Sequence, residues 1–162
     1  DANGKMAAAG QISGELLAFM MEDPYLKEAP PKTTGREKYG DAYIQLILAK
    51  AGELGLSPND TVATATDFTA ACIETAIRDF CRPAPEELIV GGGGSRNPTL
   101  MAMIRNRLSI PVRTNEDLGF VSEAKEAVAF ALMASECVRG ICNNVPRVTG
   151  ARHPVVMGKI TL

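Results

Sequence analysis

Residues 87–98 read Glu-Leu-Ile-Val-Gly-Gly-Gly-Gly-Ser-Arg-Asn-Pro, and this stretch decides the fold. Leu88–Val90 is a continuous apolar run, which is typical of a strand buried on both faces of a parallel sheet. The glycines that follow allow positive φ and let the backbone approach another group closely. Asn97 and Pro98 indicate a helix start, because Asn caps the first free amides and Pro suits the first helical position. The stretch therefore predicts strand, glycine loop and helix in succession.

The glycine loop is a candidate ligand site, because open α/β sheets usually bind ligands at the carboxyl ends of their strands. We expect the loop amides and the positive end of the helix dipole to face that ligand. The loop is not a phosphate loop, since no lysine follows the glycines, and it lacks the third glycine of the dinucleotide pattern. A tight turn without a ligand is the alternative, but four glycines exceed what a turn requires.

Length and composition predict a single domain of 162 residues with an ordinary core, since 46% of the residues are hydrophobic. A net charge of −2 and 5% aromatic residues argue against a nucleic-acid surface. No apolar run approaches the length of a membrane span, and no signal peptide opens the chain. A zinc site is not expected, because the cysteines form no Cys-x-x-Cys pair and His153 is the only histidine. Cys72 lies among apolar neighbours, as reduced cysteines do, which favours the cytoplasm.

Apolar periodicity and capping residues predict a helix-rich chain with few strands. Helices are predicted at 11–21, 41–53, 58–80, 98–108 and 123–139, the last with Ser122 as its N-cap. Strands are predicted at 88–90 and 110–112, and 155–160 is either a closing strand or an extended arm. The predicted buried faces are Ile12, Leu16, Phe19 and Met20; Ile44, Ile47, Leu48 and Ala51; and Val62, Ala65, Thr69, Cys72, Ala76 and Phe80. We expect the last helix to be enclosed, because residues 127–135 carry no charge.

Three polar features outside the glycine loop are candidates for function. The loop 32–37 contains two cations and two hydroxyls, which suit an anionic or polyhydroxy ligand, although a solvated connection is the alternative. Asp67 is the only charge between Asp60 and Glu74, and it is either ligand-facing or simply paired or exposed. Glu126 lies in the first turn of the last helix, where the dipole favours an acid and where it could also face an active site.

Four stretches of the sequence together carry a resemblance to known proteins. The stretches are Lys32-Thr33-Thr34-Gly35-Arg36-Glu37, Gly91-Gly92-Gly93-Gly94-Ser95-Arg96-Asn97, Gly119-Phe120-Val121-Ser122-Glu123-Ala124-Lys125-Glu126-Ala127 and Asn144-Val145-Pro146-Arg147-Val148-Thr149-Gly150-Ala151. The glycine loop is similar to the second-domain adenosine and phosphate loop of sugar kinases in the actin-like ATPase superfamily. The four stretches together resemble the C-terminal part of the anhydro-N-acetylmuramic acid kinase family; this resemblance covers the chain from Asp1 to Leu162 and is most specific in its last two motifs.

This resemblance implies a cytoplasmic enzyme of cell-wall (peptidoglycan) recycling. Such an enzyme uses ATP and Mg²⁺ to phosphorylate 1,6-anhydro-N-acetylmuramic acid while water opens the anhydro ring, giving N-acetylmuramic acid 6-phosphate. The implied fold is α/β, with two actin-like (ribonuclease H-like) domains around the nucleotide, and the enzymes are usually homodimers. The residues implied are Glu126 in catalysis, Gly91, Gly92, Gly93, Gly94, Ser95 and Asn97 at the nucleotide, and Lys32, Thr34 and Arg36 near the sugar.

The chain departs from the family pattern in what it lacks. The family's aspartate general base, in an Asp-Thr-Gly-Pro-Gly motif, and its first-domain phosphate loop would both lie upstream of Asp1. We therefore expect the C-terminal part of a two-domain kinase, with part of its sheet missing upstream, inactive without its N-terminal half. We also expect an exposed apolar face where that half would dock. The alternatives are a nucleotide-binding module without chemistry and an actin-like kinase for another sugar or acid.

Overall fold

The computed structural model describes residues 1–161, which group into two compact units, Asp1–Thr114 and a second unit that begins at Asn115. The single domain expected from the sequence stays a prediction. Within the described residues the chain is a helix-rich α/β protein with a small parallel sheet. No helix among these residues has the length and apolar character needed to cross a bilayer.

The first unit contains the predicted strand, glycine loop and helix. Its helices are α1 (Lys5–Ala9), α2 (Gly14–Met21), α3 (Asp41–Glu53), α4 (Pro58–Phe80) and α5 (Pro98–Arg107), and its strands are β1 (Leu88–Val90) and β2 (Val112–Thr114). Short 3₁₀ turns cover Ala2–Gly4, Pro24–Lys27 and Gly93–Arg96. The predictions for α3, α4, β1 and the start of α5 are confirmed.

Helix α2 begins at Gly14, three residues later than the predicted start at Gln11. The preceding amides are already bound to α4, since Gln11 N–H donates to Asp60 Oδ1 at 2.7 Å and Ser13 N–H donates to Thr64 Oγ1 at 2.9 Å. The Ser13 side chain then caps α2. Residues 11–13 therefore serve as a tether between helices, which apolar periodicity alone could not indicate.

The buried faces of α2 and α3 are narrower than predicted. Leu16 and Met20 of α2 pack with Ile47 and Ala51 of α3 in one buried cluster. About half of the surface remains exposed at three residues that were predicted to be buried: Ile12, Ile44 and Leu48.

Helix α4 buries a different face from the one that its apolar residues predict. The buried residues are Thr61, Ala63, Thr64, Asp67, Ala70 and Ala71, whereas Thr69 and Ala76 of the predicted stripe are exposed. Small side chains let α1, α2 and α5 pack closely on this face. Its polar groups are satisfied, because Thr64 Oγ1 donates to Asp60 O at 2.7 Å and Asp67 is paired with a cation. Close packing and the pairing of polar groups, rather than side-chain hydrophobicity, therefore decide which face of α4 is buried.

Strands β1 and β2 pair in parallel, with Leu88 opposite Val112 and Val90 opposite Thr114. The second strand was predicted two residues earlier, at 110–112. Pro111 has no N–H to donate and precedes the ladder, although its carbonyl accepts from Leu88 N–H at 2.9 Å. Strands and α5 share a core around Ala70, Met101 and Ile104, so the sheet holds the glycine loop against α5.

The second unit contains α6 (Lys125–Val138) and the short α7 (Pro146–Thr149), preceded by 3₁₀ turns at Glu116–Leu118 and Ser122–Ala124. The prediction of Ser122 as an N-cap is wrong, because Ser122 starts a 3₁₀ turn and Ala124 precedes α6 without a side-chain cap. The Ser122 amide instead donates to Glu116 Oε1 at 3.0 Å.

Contrary to the prediction that helix α6 is enclosed, much of its apolar surface is exposed. Four of its large apolar side chains are between 54% and 75% exposed: Val128, Phe130, Leu132 and Val138. An exposed apolar surface is what the sequence predicts for a chain that depends on a partner segment. That dependence itself stays a prediction.

Residues 155–160 form an extended arm, the second of the two predicted possibilities, with no strand assigned to it. Asn143 holds the arm, because its Oδ1 accepts from Met157 N–H at 2.6 Å and its Nδ2 donates to Met133 O at 2.8 Å. Asn144 Oδ1 accepts from Val155 N–H at 2.7 Å. Two adjacent asparagine side chains therefore tie the arm to the second unit.

Candidate functional site

The glycine loop leaves β1 through a backbone conformation that favours glycine. Gly92 has φ +92° and ψ −171°, and Gly93–Arg96 then form a single 3₁₀ turn. Ser95 closes this turn, because its Oγ donates to Gly92 O at 2.7 Å. A Cβ atom built on Gly92 or Gly93 would meet no protein atom within 4 Å. The loop therefore presents an open backbone surface beyond the end of β1.

The start of α5 is fully capped by its own residues. Asn97 Oδ1 accepts from Thr99 N–H at 3.0 Å and from Leu100 N–H at 3.1 Å. Met101 N–H donates to Asn97 O at 3.0 Å, and Pro98 has no N–H. The first four positions of the helix thus leave no amide for a phosphate. Asn97 acts here as a cap, and the open glycine backbone is what remains for a ligand.

The loop 32–37 does not present its three candidate residues in the same way. Lys32 Nζ donates to Tyr25 O at 2.8 Å and to Leu26 O at 3.2 Å. The same ammonium lies 4.7 Å from the Tyr25 ring centroid and 5.0 Å from that of Phe80. Thr34 and Arg36 are exposed. Lys32 therefore anchors the loop to its own unit, while the other two face solvent.

A cluster of charged and aromatic side chains lies next to the loop 32–37 and contacts it through Tyr25 and Lys32. Asp23 pairs with Lys38 at 3.0 Å and accepts from Tyr25 N–H at 2.9 Å. Burial raises the pKa of the Asp23 carboxyl, but these hydrogen bonds outweigh burial and hold the pKa below its usual range. The hydroxyl of Tyr43 is buried without a hydrogen-bond partner in the described part of the chain. Burial and the nearby Asp23 charge raise the pKa of Tyr43 to about 12.

Asp67 is buried and paired with a cation. Pairing was one of the two roles predicted for it, the other being contact with a ligand. Arg107, the last residue of α5, binds both Asp67 oxygens, through Nε at 2.9 Å and Nη2 at 2.5 Å. Its Nη1 also donates to Glu74 Oε2 at 2.8 Å. The hydrogen bonds to Asp67 and Glu74 raise the pKa of Arg107 despite its partial burial. Sequence reasoning missed Arg107, although a lone acid on a small-residue helix face indicates that a cation must pair with it.

Glu126 lies in the first turn of α6, in the second unit, and its side chain is exposed. The glycine loop and Lys32, Thr34 and Arg36 belong to the first unit. Among residues 1–161, no group of three or more His, Cys, Asp or Glu side chains is arranged to hold a metal ion. Among the described residues, the candidates for function are therefore the open backbone of the glycine loop and the exposed carboxylate of Glu126.

Comparison with known proteins assigns the family. The family model for anhydro-N-acetylmuramic acid kinase matches residues 1–162. The chain belongs to the anhydro-N-acetylmuramic acid kinase family. A relative of that name from Caldanaerobacter subterraneus subsp. tengcongensis is 46% identical over 165 residues, covering 100% of this chain and 42% of the relative. Others from Salinibacter ruber and Bacillus cereus are 42% and 41% identical, with 42% and 43% of the relative covered.

The chain thus spans about 42% of the length of the curated kinases that it matches. The family assignment confirms the resemblance seen in the four sequence stretches. The comparisons bear on the chain as a whole, so the roles of Glu126, the glycine loop and the loop 32–37 stay predictions.

Proposed function

We propose that this chain forms the C-terminal part of an ATP-dependent kinase with an actin-like, ribonuclease H-like fold. Its reaction is phosphorylation of 1,6-anhydro-N-acetylmuramic acid with hydrolytic opening of the anhydro ring to N-acetylmuramic acid 6-phosphate. The setting is peptidoglycan recycling in the cytoplasm, with a homodimer as the assembly. Family membership over residues 1–162 supports the reaction class.

The single observation that carries a nucleotide role is the open glycine backbone at the carboxyl end of β1. Because Asn97 caps the start of α5, the loop suits a flat, weakly charged group more than a phosphate. We assign it to the adenosine side of ATP. The proposed contacts are Gly91, Gly92, Gly93, Gly94 and Ser95, with Asn97 shaping the loop.

The remaining chemistry is divided between Glu126 and partners outside the described residues. Glu126 is an exposed acid at a helix start, suited to orient water or accept a proton during ring opening. Residues 1–161 contain no group of three or more His, Cys, Asp or Glu side chains arranged to hold a metal ion, so these residues do not by themselves form a site for Mg²⁺. The triphosphate and the general base require the N-terminal half, which is the proposed partner segment.

The loop 32–37 is the proposed sugar-binding segment. Thr34 and Arg36 are exposed and offer a hydroxyl and a guanidinium to a polyhydroxy acid. Lys32 holds the loop in place through Tyr25 O and Leu26 O. The acidic lactyl group of the sugar suits Arg36 in particular.

Gly93→Val in the complete gene product tests the nucleotide role. A Cβ atom there would meet no protein atom within 4 Å, and Gly93 has no positive φ, so folding should be retained. A branched side chain on the open surface should weaken ATP binding at least tenfold by excluding the adenosine. Gly52→Val is the matched control, because Gly52 has equally open surroundings and no positive φ but lies at the end of α3.

Unchanged ATP affinity in a folded Gly93→Val protein would refute the nucleotide assignment. A second assay offers the anhydro sugar and ordinary N-acetylmuramic acid to the wild-type gene product. Phosphorylation of only the ordinary sugar would reject the proposed substrate and favour another sugar kinase. ATP binding without phosphorylation of either sugar would favour a nucleotide-binding module.

A further inference from the structure

The N-terminal segment contacts the start of α5 through a buried glycine. Gly4 has φ +71°, and its carbonyl accepts from Thr99 Oγ1 at 2.9 Å. A Cβ atom on Gly4 would lie 2.2 Å from Asn97 Oδ1 and 2.6 Å from Thr99 Oγ1. Asn97 Oδ1 is the atom that caps α5. The fit leaves no room for any side chain at Gly4, so the backbone there lies directly against the end of the glycine loop.

The same segment contacts the start of α4 six residues later. Gly10 has extended backbone angles, and a Cβ atom there would lie 2.1 Å from Asn59 O. Gln11 N–H donates to Asp60 Oδ1 immediately afterwards. Glycine is therefore required at Gly10 by space alone. Two close approaches, one to each helix start, fix both ends of residues 4–10.

Helix α1 connects these two contacts. It packs along α4, and Ala7 at its centre is buried. The Asp1 carboxylate caps it by accepting from Met6 N–H and Ala7 N–H, each at 3.0 Å. Residues 4–10, which we name the N-terminal bracket, thus connect the start of α4 with the start of α5.

We infer that Gly4 and Thr99 are positioning residues for the glycine loop, an inference that depends on the proposed nucleotide role. They act through Asn97, since Gly4 confines its side-chain oxygen and Thr99 links the bracket to the first turn of α5. The 3₁₀ turn of the loop ends at Asn97, whose N–H donates to Gly94 O at 3.1 Å. A shift of Asn97 therefore moves the glycine backbone on which the adenosine would lie.

Thr99→Val in the complete gene product tests this role, because valine keeps the shape of threonine but cannot donate to Gly4 O. The KM for ATP should rise about fivefold, the factor that one ordinary hydrogen bond sets, while kcat stays within about twofold. Thr99→Ser retains the hydroxyl and should restore the wild-type KM. Thr69→Val is the control, since the Thr69 hydroxyl bonds within its own helix to Ala65 O.

Hydrogen exchange of the loop amides supplies a readout that needs no nucleotide. Thr99→Val should speed exchange at Ser95 and Asn97, and Thr99→Ser should not. Lower thermal stability with unchanged KM and unchanged loop exchange would overturn the inference and leave the nucleotide role intact. A wild-type protein that binds no ATP would refute the proposed function, and the exchange result would then decide the loop-positioning role by itself.

Discussion

Replacing Arg107 with methionine should destabilise the first unit strongly, because it leaves a buried carboxylate without its partner. The Asp67 side chain is only 5% exposed, and both of its oxygens are bound by Arg107. Removing one partner of a buried ion pair costs about 3–5 kcal/mol. The Arg107 and Glu74 side chains are 25% and 34% exposed, so solvent screens part of this loss. We expect a decrease of about 2–3 kcal/mol in the free energy of unfolding.

Urea unfolding followed by circular dichroism measures this loss, and the melting temperature should fall by about 4–12 °C for a chain of this size. Arg78→Met is the matched control, because Arg78 pairs with its neighbour Asp79 on the exposed part of α4. That control should leave the unfolding midpoint unchanged.

The double variant Asp67→Leu, Arg107→Met separates a lost pair from a lost side chain. Removing both charges eliminates the unpaired buried carboxylate, so much of the stability lost in Arg107→Met should return. A single variant as stable as wild type would contradict the argument. A double variant no more stable than Arg107→Met would show that packing by the arginine stem, rather than charge pairing, holds α5 to α4.

Three further predictions concern individual side chains. Because the folded pKa of Asp23 lies below its usual value of 3.8, its stabilising effect is present above that pH and is lost as pH falls further. The stability advantage of wild type over Asp23→Asn should therefore shrink in acid unfolding titrations. Iodoacetamide at pH 8 should label exposed Cys142 well before Cys72, whose pKa burial raises to about 11, as mass spectrometry can measure. Glu126→Gln should lower kcat by roughly two to four orders of magnitude if the acid is catalytic, and near-normal turnover with a lower melting temperature would favour a helix-dipole role.

The sequence predicted local structure well wherever a short-range signal specifies it. The Ser57–Asp60 capping box begins α4 as expected, and the Asn97-Pro98 pair begins α5. The strand Leu88–Val90 has the predicted bounds, and Gly92 has the positive φ that a glycine loop allows. Each of these features depends on residues within about four positions of one another, so a single sequence contains the whole signal.

Burial was predicted less well, because it depends on partners distant in sequence. The buried face of α4 holds Asp67, an acid that is suited to burial only because Arg107, 40 residues away, pairs with it. The contact between Gly4 and Thr99 joins residues 95 positions apart and has no periodic pattern. Apolar composition likewise predicted enclosure of α6 without identifying anything that covers it. A single sequence shows which residues are apolar, but it does not show which distant residues will pack against them.

Helix α5 connects stability to the proposed site, and its two ends are held by different contacts. Arg107 fixes the end of the helix to α4, whereas Thr99 fixes its start to Gly4. A helix of 10 residues is about 15 Å long, and contacts separated by that distance usually contribute independently. Loss of the Arg107 contact should therefore reduce stability while leaving nucleotide affinity nearly unchanged in the folded protein. Loss of the Thr99 contact should reduce nucleotide affinity while leaving stability nearly unchanged, because only the start of α5 adjoins the glycine loop.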